Sequence, residues 1–204
     1  VKGGAGNDGL NGGAGNDTLI GGSGTDTIYG GSGNDIIFGD FFGEGTSADT
    51  LTGGTGDDTF VFTSVAKGLQ FIDAAYADGT PTTIMVQTPV VDTITDFAVG
   101  TWTSSSSNSL SSFKAIDPRL TNHDTIDLSH VFDALTAFTG TAQQAISQGY
   151  LYFVQHGTAG QDGFGTTVMF DRTGGANSDT DNVYSVVDLA GVSKASLSAS
   201  LFVV

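Results

Sequence analysis

Aspartate recurs at equivalent places through the first sixty or so residues. Asp8, Asp17, Asp26 and Asp35 follow at nine-residue steps, and Asp49 and Asp58 resume the step after one interruption. Most close a Gly-Gly-x-Gly-x-Asp stretch: Gly4, Gly6 and Asn7 lead to Asp8; Gly13, Gly15 and Asn16 to Asp17; Gly22 and Gly24 to Asp26; Gly31, Gly33 and Asn34 to Asp35; Gly54 and Gly56 to Asp58. Carboxylates set among glycine turns offer hard oxygen donors, because glycine lets backbone carbonyls converge. Calcium takes about six to eight oxygens at about 2.3–2.6 Å in a tolerant geometry, whereas magnesium demands a stricter octahedron. The pattern therefore points to several calcium ions with these residues as metal ligands. Charge agrees: 22 acidic residues against 6 Lys plus Arg leave a formal net charge of −16, which opposes compaction until cations arrive. The same charge argues against nucleic acid or an anionic membrane as partner. Cysteine is absent, so neither disulfides nor thiolate metal sites contribute.

Positioning these carboxylates requires short strands. Each nonapeptide follows its glycine half with a segment carrying one inward apolar residue: Leu10, Leu19, Ile28, Ile37, Leu51 and Phe60. A strand of that length cannot bury a face alone, so the units must stack, and two units per turn place alternate repeats at the ~4.8 Å spacing of paired strands. Asp8, Asp26 and Asp49 then line one edge and Asp17, Asp35 and Asp58 the other. A flexible Gly/Asn linker is the competing reading, but linkers lack periodic inward Leu and Ile. Beyond the roll the glycine period is lost. Alternating Phe, Val, Ile and Thr predict antiparallel strands at 83–91, 150–155, 166–170 and 182–189, with one short helix over 141–149. The fold class expected is all-β: a parallel calcium-binding β-roll over 1–62, followed by a mostly antiparallel, β-sandwich-like region over 63–204 with at most one or two short helices.

The nonapeptide is that of the RTX repeat, and the whole chain resembles the carboxy-terminal region of type I secreted RTX proteins, especially the giant adhesins of Gram-negative bacteria. Besides the repeats, the resemblance is carried by Thr59-Phe60-Val61-Phe62, by Asp92-Thr93-Ile94-Thr95-Asp96-Phe97, by Asp124-Thr125-Ile126-Asp127-Leu128-Ser129, by Gln144 to Tyr150, and by Val186 to Val192. Departures are the bulge from Gly39 to Ala48, the long stretch from Thr63 to Val90, and the Ser/Thr-rich insertion 101–123. The resemblance implies an uncleaved export signal within about 145–204, read by an ABC exporter and its outer-membrane channel, and a secreted protein held at the cell surface through its parent. It also implies that Asp96 caps the roll with a further ion, although a turn aspartate accounts for that position equally well. The chain starts inside a repeat and reads as a piece of a longer protein, monomeric as a fragment and without a membrane-inserting segment.

Catalysis is not expected. The chain contains no H-E-x-x-H or G-x-S-x-G motif; Ser111-x-x-Lys114 stands in a Ser-rich loop without partner motifs, and His123, His130 and His156 lack metal-like spacing. Trp102 reads as loop packing. The rival function is the carboxy-terminal module of a secreted protease, lipase or epimerase whose catalytic domain lies upstream. A third reading, the roll as a recognition surface for ice or sugar, is weakened because outward pairs such as Thr18 and Ile20 or Ile36 and Phe38 form no regular Thr rows. Asp171, Asp179 and Asp181 crowd one Gly-containing loop, either sharing calcium or turning in solvent.

Overall fold

The chain winds between two sheets. A computed structural model describes residues 1–40, 47–63, 92–99, 123–133, 135, 138–174 and 183–204. The chain turns at the Gly-x-Asp end of each nonapeptide; β1 (Lys2–Ala5) precedes Asp8, and a strand follows each repeat aspartate: β2 (Gly9–Ala14), β3 (Thr18–Ser23), β4 (Thr27–Ser32), β5 (Ile36–Phe38), β6 (Thr50–Thr55) and β7 (Thr59–Val61). Odd strands stack in one sheet and even strands in the other, all parallel, so that Leu10 pairs with Ile28 and Leu19 with Ile37. Two nonapeptides therefore make one turn, as the repeat spacing predicts. Strand direction is uniform because each turn returns the chain to the same side of the same sheet.

Neither sheet stops where the glycine period does. β8 (Asp92–Ile94) lies parallel on β6, and β9 (Thr125–Asp127) lies parallel on β7. The carboxy-terminal β13 (Phe202–Val203) closes the first sheet, whose order is β1-β3-β5-β7-β9-β13. In the second sheet β10 (Leu151–His156), β11 (Gly165–Asp171) and β12 (Val183–Ala190) form an antiparallel meander, and β12 joins β8 in parallel. Antiparallel pairing between named strands is thus confined to this meander, while the other carboxy-terminal strands extend the roll. The three strands expected here at 150–155, 166–170 and 182–189 are present; the one at 83–91 lies outside the described residues.

Two apolar columns fill the interior. Leu10, Ile28, Leu51, Ile94 and Leu189 run along one sheet, and Leu19, Ile37, Phe60, Ile126 and Phe202 along the other, each paired with the next in register and all buried. Interdigitated apolar side chains between sheets are what make such short strands stable. Two helices pack on this core: α1 (Ser129–Asp133), burying Val131 and Phe132, and α2 (Ala142–Ser147), burying Ala145. Thr141 caps α2 through the Gln144 amide, and the Gln144 side chain reaches back to the Thr141 amide. That reciprocal box satisfies two orphan donors and sets where the helix begins. Phe132 meets Phe170 edge-on at 5.1 Å between ring centroids, locking α1 to the meander.

Candidate metal centre

At each edge of the roll the aspartates form a ladder. Asp8 N–H donates to Asp26 Oδ1 at 2.8 Å, Asp26 N–H to Asp49 Oδ1 at 2.8 Å, and Asp49 N–H to Asp92 Oδ1 at 3.0 Å. On the opposite edge Asp17 N–H donates to Asp35 Oδ1 at 2.8 Å, Asp35 N–H to Asp58 Oδ1 at 2.9 Å, and Asp58 N–H to Asp124 Oδ1 at 3.2 Å. One oxygen of each recipient carboxylate is thereby spent on the backbone. Oδ2 of Asp8, Asp17, Asp26, Asp35, Asp49 and Asp58 is buried without a hydrogen-bond partner, whereas Asp124 Oδ2 accepts the Ala98 amide at 2.8 Å. A buried carboxylate oxygen with nothing to receive costs several kcal/mol, of the order attached to an unpaired buried charge.

Carbonyls stand beside these oxygens. A side chain placed on Gly30 would meet Asp35 Oδ2 and the Gly53 carbonyl oxygen, each at 2.5 Å, and one on Gly12 would meet Asp17 Oδ2 at 2.8 Å and the Gly30 carbonyl at 2.5 Å. The first glycine of the unit is thus needed to leave room for converging oxygens. The second and third glycines, Gly4, Gly6, Gly13, Gly15, Gly22, Gly24, Gly31, Gly33, Gly54 and Gly56, all have φ between 100° and 132°. At Gly24 both reasons combine, since a side chain there would be strained and would press on the Gly6 carbonyl at 2.5 Å. Repeated unpartnered carboxylate oxygens beside carbonyl oxygens fit a hard divalent cation of calcium's tolerance. Residues 11–41 and 45–62 match a family model described as the RTX calcium-binding nonapeptide repeat, in four copies.

These turns are RTX calcium-binding repeats. No curated protein matches the chain. Among solved structures it is similar to the solution structure of the AlgE6R2 subunit of the Azotobacter vinelandii mannuronan C5-epimerase, at 22% identity and a TM-score of 0.49, covering 99% of this chain and 90% of that one.

Electrostatics at the carboxy-terminal end of the RTX roll follow from burial. Asp49 is pushed up to about 7 and Asp124 to about 7, chiefly by burial, with amide hydrogen bonds opposing and neighbouring aspartates adding to the rise. Asp58 rises to about 6 for the same first reason, and buried Asp92 rises well above the usual carboxylate range. Burial and neighbouring like charge thus favour the protonated form of Asp49, Asp58, Asp92 and Asp124, and a divalent cation beside them would displace that proton.

Asp92 and Asp124 are the ladder members that spacing from the repeats does not reach. Their signal lies in the tripeptide: Asp92-Thr-Ile and Asp124-Thr-Ile repeat the Asp26-Thr-Ile of the roll. Asp96 takes the Gly53 and Gly54 amides on its two oxygens at 3.0 and 2.8 Å, the geometry of a turn cap. The asparagines also bridge turns, with Asn7 Oδ1 accepting the Thr25 amide, Asn16 Oδ1 the Asn34 amide and Asn34 Oδ1 the Asp57 amide. Asp171 Oδ1 accepts from the Thr173 amide and hydroxyl, an Asx turn, whereas Asp179 and Asp181 lie outside the described residues. Trp102, Ser111 and Lys114 lie outside them too. His156 bridges the meander, Nε2 to Asp188 Oδ1 at 2.6 Å and Nδ1 to the Gly163 carbonyl at 2.8 Å, which is a structural tie between β10 and β12.

Proposed function

We propose that this chain is the calcium-binding, non-enzymatic carboxy-terminal module of a secreted RTX adhesin, one that carries a type I secretion signal within residues 145–204 and folds when it meets extracellular calcium. The observation that carries the calcium-dependent part is the pair of aspartate ladders, in which all six repeat aspartates leave a buried Oδ2 without a hydrogen-bond partner. Inside a cell, where calcium is scarce, the carboxylates repel and the segment stays loose enough to thread an exporter. Outside, extracellular modules bind calcium with dissociation constants of about 0.1–1 mM, so a millimolar medium loads the turns and binding free energy becomes folding free energy. The adhesin assignment and the exporter partners rest on the family resemblance of the sequence blocks around Asp92, Asp124 and Val186. Catalysis, where the parent has any, belongs to residues beyond this chain.

The experiment is a calcium titration of the chelated protein followed by far-UV circular dichroism, with magnesium as control and an Asp26→Ala/Asp35→Ala variant alongside. A cooperative gain of β signal near millimolar calcium, weakened in the variant and absent with magnesium, is the expected outcome. Identical spectra with and without calcium would sink metal-coupled folding.

A further inference from the structure

Asp40, Asp49 and Asp92 meet where the glycine period breaks. One carboxylate oxygen from each lies within 4.8 Å of the other two. The arrangement differs from the regular turns. At Gly30 the approaching oxygens are one carboxylate, Asp35 Oδ2, and one neutral carbonyl, that of Gly53. At Gly39 a second carboxylate takes the carbonyl's place, so that a side chain there would meet Asp49 Oδ2 at 2.5 Å and Asp92 Oδ2 at 2.8 Å. Asp49 is only 1% exposed, its Oδ1 accepts the Asp26 amide at 2.8 Å, and its Oδ2 has no hydrogen-bond partner. Asp92, 8% exposed, likewise spends Oδ1 on the Asp49 amide and turns Oδ2 to the same place. Buried like charges aimed at one point are tolerable only around a cation or with a proton between them.

We propose that Asp40, Asp49 and Asp92 hold a calcium ion of their own, in a three-carboxylate site that binds more tightly than the nonapeptide turns and fills before them. The inference rests on the calcium-binding reading of the roll and deepens it. Calcium affinity rises with the number of charged ligands and the rigidity of the site, and here carboxylates replace neutral carbonyls on a buried wall. Asp40 enters the interruption, Asp49 leaves it, and Asp92 begins the strand that lies on β6. One ion at this point therefore closes two excursions of the chain at once, and closing such loops early removes an entropic cost that later pairing would otherwise meet. Its arrival sets the register in which β8 continues the roll.

The test is calcium binding to the whole chain, measured by competition with a chromophoric chelator, for the wild type, Asp40→Asn and Asp40→Glu. In the wild type we expect one ion bound about tenfold or more tightly than the remainder, the scale on which charge count tunes oxygen sites. Asp40→Asn should lose that tight class and leave the weaker class in place; Asp40→Glu, which keeps the carboxylate, should retain it. Matching curves for Asp40→Asn and wild type, with several ions bound to both, would overturn this site and leave the calcium roll standing. No uptake by the wild type would overturn the roll itself. Circular dichroism in saturating calcium checks that Asp40→Asn folds. Should it not fold, a wild type whose ions all bind in a single affinity class overturns the proposal.

Discussion

A single buried carboxylate of this chain can take either a proton or a share of a cation. Asp49, Asp58 and Asp124 are raised to about 7, 6 and 7 in the calcium-free fold, while an unfolded aspartate titrates near 3.9. Between those values the folded state holds more protons than the unfolded one, so the stability contributed by these groups is present below about 4 and is lost as pH rises through about 6 to 7. The calcium-free roll should consequently gain β structure on acidification from pH 8 to pH 5, read by circular dichroism in chelator. Calcium reverses the sign by displacing the same protons. Calorimetric titration at pH 6 in buffers of different ionisation enthalpy should register proton release on binding, diminishing above pH 7; buffer-independent heats at pH 6 would contradict the raised carboxylates. The repeat aspartates were legible from spacing alone. Asp92 and Asp124 were not, because intervals of 43 and 66 residues separate them from their partners Asp49 and Asp58.

Strands are the next scale, and here each element is too short to stand alone. β9 has three residues, one of which, Ile126, is fully buried between Phe60 and Phe202 in the first sheet. Ile126→Ala should cost about 2–5 kcal/mol, as for other buried large-to-small substitutions, and urea unfolding in saturating calcium measures it. A loss below about 0.5 kcal/mol, the level of a surface substitution, would show that β9 is peripheral to the roll. The periodic strands could be read from one inward apolar residue per nonapeptide. The parallel addition of β8, β9 and β13 could not, since parallel partners lie far apart in sequence and no turn residue announces them. α2 was legible from Ala142, Ala145 and Ile146 on one side; α1, with five residues, is too short for a period to register.

Taken whole, the molecule carries a formal charge of −16, and among the described residues one apolar cluster runs from Leu10 to Phe202. Removing charge by ion binding and removing apolar surface by stacking are therefore coupled events, because the ladders lie at the edges of the same turns that bury Leu19, Ile28, Ile37 and Leu51. The proposed export signal belongs to this scale. A passenger protein fused ahead of residues 145–204 is expected in the medium of cells that carry a type I exporter and inside otherwise identical cells that lack it. Retention in both strains would remove the secretion signal from this stretch and leave the calcium chemistry untouched.

Local chemistry explains what the sequence by itself determined: the period of nine, the aspartates, the glycines at positive φ, the inward Leu and Ile, and calcium as the ion. Each depends on neighbours within one unit, and an eighteen-residue turn follows once two units must face each other. Tertiary structure alone decided where the ladders end. Only in the fold does Asp92 take the Asp49 amide and Asp124 the Asp58 amide, and only there does Asp40 swing beside Asp49 and Asp92. The physical reason is that a parallel roll joins residues by stacking height and not by distance along the chain, so insertions of any length can be looped out while the column of oxygens and the column of apolar side chains continue.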